Sequence, residues 1–409
     1  MDIDLGPEAA RFRRSIRDWI DANAPDGLAA LTDWTATGMT GGYSVNADAM
    51  KSELYAEWDR RLLDANLICP RWPQRFGGRG FTALHSAIYA EELRRAGLPL
   101  VYRGFGEGMV GPSVIAHGTP EQQEYFLPRI RSGEDVYCQG FSEPDHGSDL
   151  AGVETRAVVD GDEVVITGQK LWTSGFYRAN MIFILCRTNP DVPKHRGLSY
   201  ILVPFLDNHI EARPVRQMTG AEQFGEEFFD GARAPLFNVI GGLDNGWRVA
   251  MTTLGFERGG GASTAHLRFE RQLWNLVDLA REVGREREPV VRQQLAWAYT
   301  HVQIMRISGM RTMAQLAEGR EPGPEASTSK LFWSEYEKRL GEIAADLLGA
   351  EGMVRPAGEG YPLSHWQEVF LAARAGTIYS GTSEVQRNII AERALGLPKE
   401  PAPAKGAPS

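Results

Sequence analysis

The stretch best furnished for chemistry runs from Tyr137 to Ala157, YCQGFSEPDHGSDLAGVETRA. Pro144, Asp145, His146 and Gly147 can continue neither a helix nor a central strand, so the backbone turns there. Ser142, Ser148 and Asp149 offer short hydrogen-bonding groups, and Gly147 admits close approach to the backbone. This set suits a polar ligand held by a loop, and it also suits an ordinary surface turn. Further on, Trp172 in GQKLWTSG (168–175) offers an aromatic face. Such a face packs a flat heterocycle, or fills a core.

These residues need elements to position them, and the pattern gives an α–β–α order. Residues 1–135 read as helical. Phe12, Ile16, Trp19 and Ile20 share one apolar face, and Trp58 and Leu62 begin another. Loops fall at 38–46 and 71–81. The acid pair Glu91 and Glu92 reads as a solvated helix face. GTPEQQEYFLP (118–128) reads as a helix capped by Thr119, with Pro120 in its first turn. After the 137–157 loop, Val158-Val159, Asp160-Gly161 and Val164–Ile166 suggest a hairpin. Strand-like runs follow at Met181–Leu185, Leu198–Val203 and Phe228–Phe229. A β domain over 136–243 is therefore expected. Helical runs near 247–285, 290–320, 325–349 and 364–395 suit a bundle over 244–397. The Pro, Ala and Gly content of residues 398–409 reads as a disordered tail.

Composition narrows the classes. The 409 residues are 43% hydrophobic and 24% charged, a balance large enough for two or three cores. A net charge of −9 argues against a nucleic-acid partner, though not against an anionic substrate held by a few local basic residues. The three cysteines lack metal-ligand spacing and suit a reducing compartment. No apolar run reaches the roughly 18–20 residues of a membrane span, and the start lacks a signal-peptide core. A cytoplasmic location with no membrane partner is expected.

The run GFSEPDHGSD (140–149) resembles the flavin-bordering signature of the acyl-CoA dehydrogenase flavoproteins. GQKLWTSG, LGFERGGG (254–261) and IYSGTSEVQRNIIAERALGLP (378–398) are similar to further blocks of that family, in its order and spacing. The resemblance covers nearly the whole chain. It implies an α+β fold with an N-terminal helical domain, a middle β-barrel and a C-terminal four-helix bundle that mediates oligomerisation. It also implies FAD. Phe141 and Ser142 would offer a backbone group and a hydroxyl to the ring, and Gly147 and Ser148 would approach the pyrophosphate. Trp172 would stack on the ring, and Ser174 would sit near its reactive edge. Gly381 would let the backbone approach flavin and thioester. Thr382 and Glu384 would reach the FAD, with Glu384 equally readable as a helix-start acid. Gln386 and Arg387 read as structural. The family's Arg-x-x-Phe-Gly segment is missing. In its region Arg292 and Gln293 are candidates for adenine contacts across subunits. Asp346 and Gly349 occupy a position where an amide-led segment is usual.

The implied reaction is α,β-dehydrogenation of an acyl thioester. It needs a carboxylate for the α proton and donors for the thioester oxygen. Many members carry a glutamate directly after the tyrosine of the last block, where this chain has Ser380. A second family position, within an x-x-Glu-Arg context, matches Glu257-Arg258. The resemblance thus implies Glu257 as base, the Ser380 backbone N–H as donor to the thioester oxygen, and Arg258 and Gly381 at the substrate. Burial by substrate would raise the Glu257 pKa towards working pH. The structural alternative pairs Glu257 with Arg258 or Arg271. Gly259-Gly260-Gly261 costs roughly 1 kcal/mol per glycine in a helix, which either a wide pocket or tight packing would justify. The expected partners are an acyl-CoA or acyl-carrier-protein thioester and an electron-transfer flavoprotein, in a homotetramer or homodimer. The rivals are a non-catalytic subunit of a mixed oligomer and an oxygen-using flavoenzyme on the same fold.

Overall fold

The computed structural model describes residues 5–33, 44–45, 49–99, 101, 103–259, 265–320, 323, 326–354, 356 and 362–399. Residues 400–409, within the expected tail, lie outside that set, as do Gly260 and Gly261 of the glycine run. The chain divides into two compact units, one formed mostly by residues up to 260 and the other mostly by those beyond.

The first unit begins with helices α1 (Gly6–Asn23), α2 (Glu53–Asp64), α3 (Ala83–Arg95), α4 (Gly111–His117) and α5 (Pro120–Ser132). A two-residue pairing of β1 (Thr32–Asp33) with β2 (Ser44–Val45) lies between α1 and α2. The apolar stripes work as expected, burying Ile16 and Ile20 of α1 and Trp58 and Leu62 of α2. Thr119 and Gln122 cap α5 reciprocally, each side chain bonding the other's backbone N–H. The acid pair on α3 departs from the solvated reading. Glu92 is 3% exposed and accepts from Arg13 and Arg17, while Glu91 accepts from Arg13 and Arg95. Cations about 75 positions upstream bring those carboxylates inside.

The sheet follows, with β3 (Tyr137–Gly140), β4 (Arg156–Asp160), β5 (Glu163–Ser174), β6 (Met181–Arg187), β7 (Leu198–Pro204), β8 (Ile210–Val215), β9 (Phe224–Pro235) and β10 (Val239–Ile240). The order is β10-β7-β6-β4-β5-β9-β8, with β3 parallel to β6. The expected hairpin is β4–β5, closed by Asp160 opposite Glu163. The expected barrel is not formed. The sheet is open, with β10 and β8 as its edges and no pairing between them among the described residues. Strand β6 reads as a continuous apolar run because both its faces are covered. Phe183 and Leu185 join the core shared with the helices, while Ile182 and Ile184 join a second core within the sheet. Helix α6 (Gly246–Gly259) completes the unit, its Thr253 hydroxyl 2.7 Å from that of Ser113 on α4.

The second unit is helical: α7 (Ala265–Glu282), α8 (Pro289–Ala317), α9 (Ala326–Leu348), α10 (His365–Gly376) and α11 (Ser383–Ile389). Leu276, Val302, Tyr336, Leu340, Ile343 and Val369 are buried in one core. The run expected as one helix from 364 breaks between α10 and α11, where Ser380 (φ 52°) and Gly381 (φ 88°) are successively left-handed. Among the described residues, no helix is long and apolar enough to cross a membrane.

Candidate active site

The site residues named from sequence fall into two sets, one in each unit. In the first unit the set is built on β3, β5 and the loop between β3 and β4. Inward positions of β5 alternate through Val164, Ile166 and Lys170, so strict alternation would turn Trp172 inward. A bulge between Leu171 and Thr173 interrupts that count. It puts Thr173 inside and leaves Trp172 at φ 66° with its side chain 53% exposed. Non-glycine residues rarely hold that backbone conformation, and functional sites are where such strain collects. The exposed indole meets Phe224 edge-on at 5.9 Å between ring centroids.

A buried ion pair holds the adjoining loop. Lys170, fully buried, donates to Glu143 Oε1 at 2.9 Å and to the carbonyls of Phe141 (3.1 Å) and Leu185 (2.7 Å). Glu143 also accepts the N–H groups of Glu154 (2.7 Å) and Thr155 (2.9 Å). Burial alone would raise the Glu143 pKa, but Lys170 and these donors hold it below the usual carboxylate range. Sequence reading passed over both residues. The available signal was a lysine on the inward phase of a strand, which demands a buried counter-charge.

This frame sorts the loop residues. Phe141 is buried against Phe183 and Tyr200, and its carbonyl is taken by Lys170. That acceptor is therefore turned inward. Ser142 is half-buried, with its carbonyl accepting from Leu171 N–H. Gly147 and Ser148 are exposed, and Ser174 is half-buried at the end of β5. Beneath Trp172, Thr173 donates to the buried Glu227 carboxyl. Burial pushes Glu227 up to about 8, against the Thr173 hydrogen bond and with the help of Glu226. Glu257 and Arg258 occupy the last turn of α6, and their side chains lie outside the described residues.

In the second unit, Lys330 of α9 donates to the Gly381 carbonyl at 2.7 Å, and Gln386 of α11 donates to the Ser380 carbonyl at 3.0 Å. A Cβ on Gly381 would stand 2.6 Å from Gln386 Nε2 at an already left-handed φ, so both space and backbone select glycine. The reading of Gln386 as structural fits its burial, and it is the side chain that fixes the Ser380 peptide. Lys330 gave no local signal, lying 51 positions from its partner. Thr382 spends its hydroxyl capping α11. Glu384 is exposed in the first turn of α11, 3.5 Å from Arg387, as a helix-start acid would be. Arg292 and Gln293 are exposed near the start of α8, and Asp346 and Gly349 are exposed at the end of α9.

The donor set fits a flavin: an outward indole beside a half-buried serine, on a loop fixed from behind by a buried ion pair. Comparison with known proteins agrees. Models of the N-terminal, middle and C-terminal domains of acyl-CoA dehydrogenases match residues 43–134, 138–231 and 244–395. The chain is 43% identical to acyl-CoA dehydrogenase IpdE1 of Mycobacterium tuberculosis, over 98% of this chain and 100% of that one. Among solved structures it is similar to the Tcur3481-Tcur3483 steroid ACAD, with 29% identity and a TM-score of 0.76 over 98% of this chain and 100% of that one. It is likewise similar to a chain of the ChsE4-ChsE5 complex of M. tuberculosis, with 28% identity and a TM-score of 0.76 over 98% and 100% of the respective chains.

Proposed function

The chain belongs to the acyl-CoA dehydrogenase family, and we propose that it oxidises an acyl thioester to the trans-2-enoyl thioester with FAD as its cofactor. The observation that carries this reading is the β5 bulge, which turns Trp172 outward at a left-handed φ beside Ser142. Bound FAD would accept the hydride from the β carbon.

The remaining steps belong to this chain's residues. Glu257 removes the α proton. The Ser380 backbone N–H donates to the thioester oxygen, a role open to any residue but proline. Trp172 packs the ring, and Ser142, Ser174 and the Phe141 backbone N–H border it. Gly147 and Ser148 approach the pyrophosphate. Arg292, Gln293, Asp346, Gly349, Thr382 and Glu384 serve the rest of the cofactor, and Arg258 and Gly381 lie at the substrate. We set domain boundaries near 135 and 243, a choice supported by the change from helix to sheet and back, and near 397, before the Pro-, Ala- and Gly-rich tail. We assign electrons to an electron-transfer flavoprotein and a cytoplasmic setting. The C-terminal helices act as an oligomerising bundle, a reading supported by exposed Trp274, Tyr299 and Ile307. The likeness to a steroid ACAD supports a polycyclic acyl group. A mixed oligomer is the second reading, favoured by Ser380 at the usual position of the glutamate and by likeness to a chain of the ChsE4-ChsE5 complex.

The test is Glu257→Gln, read by exchange of the substrate α proton in deuterated water. The variant should keep its flavin while exchange falls roughly 100-fold or more. Near-normal exchange or turnover would remove Glu257 from this role.

A further inference from the structure

The bulge that turns Trp172 outward turns Thr173 inward, where its hydroxyl donates to Glu227 of β9. Without the bulge, alternation along β5 would carry Thr173 to the outer face, away from that carboxyl. Glu227 is fully buried, and its other oxygen, Oε1, has no hydrogen-bond partner among the described residues. The sequence makes room for it. Gly225 stands opposite Thr173 and shares the inward phase of β9 with Glu227. A Cβ at position 225 would collide with that Oε1 and with the Phe176 ring, so a larger residue there would displace the carboxyl.

The neighbouring groups do not neutralise this acid. Lys170 faces Glu227 across the β5–β9 ladder, but its three ammonium hydrogens go to Glu143 and to the carbonyls of Phe141 and Leu185. Glu226, the next residue on β9, accepts from Gln169 at 2.6 Å and adds a like charge. Cys138 of β3 is buried, and burial together with Glu227 pushes its thiol well up, so it stays neutral. Burial pushes Glu227 itself up to about 8, opposed by the Thr173 bond and aided by Glu226. For stability alone the pair is a poor choice, because apolar residues at both positions would leave nothing unpaired. What a hydroxyl and a carboxyl add is a register that only the bulged strand satisfies.

We propose that Glu227 is a positioning residue: through the Thr173 hydroxyl it locks the β5 bulge and so fixes Trp172 and Ser174 for the flavin ring. The flavin part of this assignment rests on the dehydrogenase reading above. A neutral carboxyl is tolerated inside the sheet. An ionised one, with Oε1 bare and no cation to spare, is relieved only by water, which enters by loosening β5 from β9 at the bulge. Flavin binding, which needs the bulge in place, and ionisation of Glu227 therefore oppose each other.

The test has two readouts, each taken at about pH 6.5 and about pH 9 on the full-length apoprotein. One is FAD affinity by fluorescence titration, and the other is amide exchange over residues 168–175 without FAD. Wild-type affinity should fall roughly tenfold between the two conditions, the full linkage to a proton held with a pKa of about 8. Glu227→Gln keeps the bond to Thr173 without a charge, so its affinity should match wild type at the lower pH and change by less than about threefold. Thr173→Val/Glu227→Leu removes both partners, which largely preserves stability, yet its affinity should be roughly tenfold weaker than that of Glu227→Gln at either pH. Exchange should be faster in wild type than in Glu227→Gln at the higher pH only, and faster in the double variant at both. Equal exchange in the three proteins at each pH overturns the proposal, whatever FAD does. Equal FAD affinity in the three at each pH overturns it too, and leaves the dehydrogenase reading standing. If exchange behaves as expected while wild type binds no FAD at either pH, the register assignment stands and the dehydrogenase reading falls.

Discussion

Two lysines brace the two sets of candidate residues, one set in each unit, and they do so differently. Lys170 lies wholly inside the sheet unit, paired with Glu143 and capped by two backbone carbonyls. Lys330 is half-buried in the helical unit, holds the single Gly381 carbonyl, and has no ion pair among the described residues. Burial lowers its pKa, against the pull of Glu335 and Glu384. Both lysines stand behind backbone in the left-handed region, at Trp172 in one case and at Ser380-Gly381 in the other. The sheet half is thus fixed by a buried ion pair whose loss strands a charge. The helical half is fixed by neutral peptide contacts that a cation and an amide share. On this comparison the first set is braced by a buried charge pair and the second by hydrogen bonds to peptide carbonyls.

The comparison can be broken most easily at its strongest point. Lys170→Met leaves Glu143 buried without its cation and should cost roughly 3–5 kcal/mol in urea unfolding, together with loss of bound flavin. A cost no greater than that of Lys330→Met would erase the distinction. The next effect concerns Glu227, beneath Trp172. Its pKa is raised from 4.5 to about 8, so the folded state binds this proton more tightly than the unfolded chain. The associated stability is complete below about pH 4.5 and is lost as pH rises through about 8. Between pH 5 and pH 9, wild type should lose on the order of 2–4 kcal/mol more than Glu227→Gln. Parallel pH profiles for the two proteins would place the titration elsewhere.

Smaller effects sharpen the helical side. Lys330→Met should cost roughly 1 kcal/mol, the worth of one hydrogen bond. It should lower kcat/KM about tenfold while flavin content stays unchanged, because only the Ser380-Gly381 segment loosens. Equal losses of flavin and turnover would make Lys330 a general structural residue. Trp172→Ala should change stability least, within about 0.5 kcal/mol, since the indole is largely exposed. Flavin affinity should nevertheless fall by roughly tenfold, measured by fluorescence titration of the apoprotein.

Legibility from sequence followed the range of the interactions. The α5 cap, the α1 and α2 stripes and the β4–β5 hairpin are set by neighbours a few positions apart, and each was readable. The pairing of Glu92 with Arg13 and Arg17 was not, because the carboxylate on α3 meets cations on α1 only after folding. The β5 bulge escaped for a related reason. Its register is decided by β9, about 55 positions on, where Gly225 stands opposite Thr173. The motif named Trp172 through resemblance, but nothing local in GQKLWTSG says that the indole turns outward. Lys170, Glu143 and Lys330 were invisible as partners for the same cause. The barrel expectation failed because strand content does not reveal whether the edge strands meet.

The central claim is that this chain dehydrogenates an acyl thioester with Glu257 as base. Its most direct measurement is an anaerobic titration of the full-length protein, and of Glu257→Gln, with a panel of straight-chain and polycyclic acyl-CoA thioesters while flavin absorbance is followed. The account predicts that a polycyclic thioester bleaches the wild-type flavin and leaves that of Glu257→Gln oxidised. Flavin that stays oxidised with every thioester, or bleaches equally fast in both proteins, would contradict it.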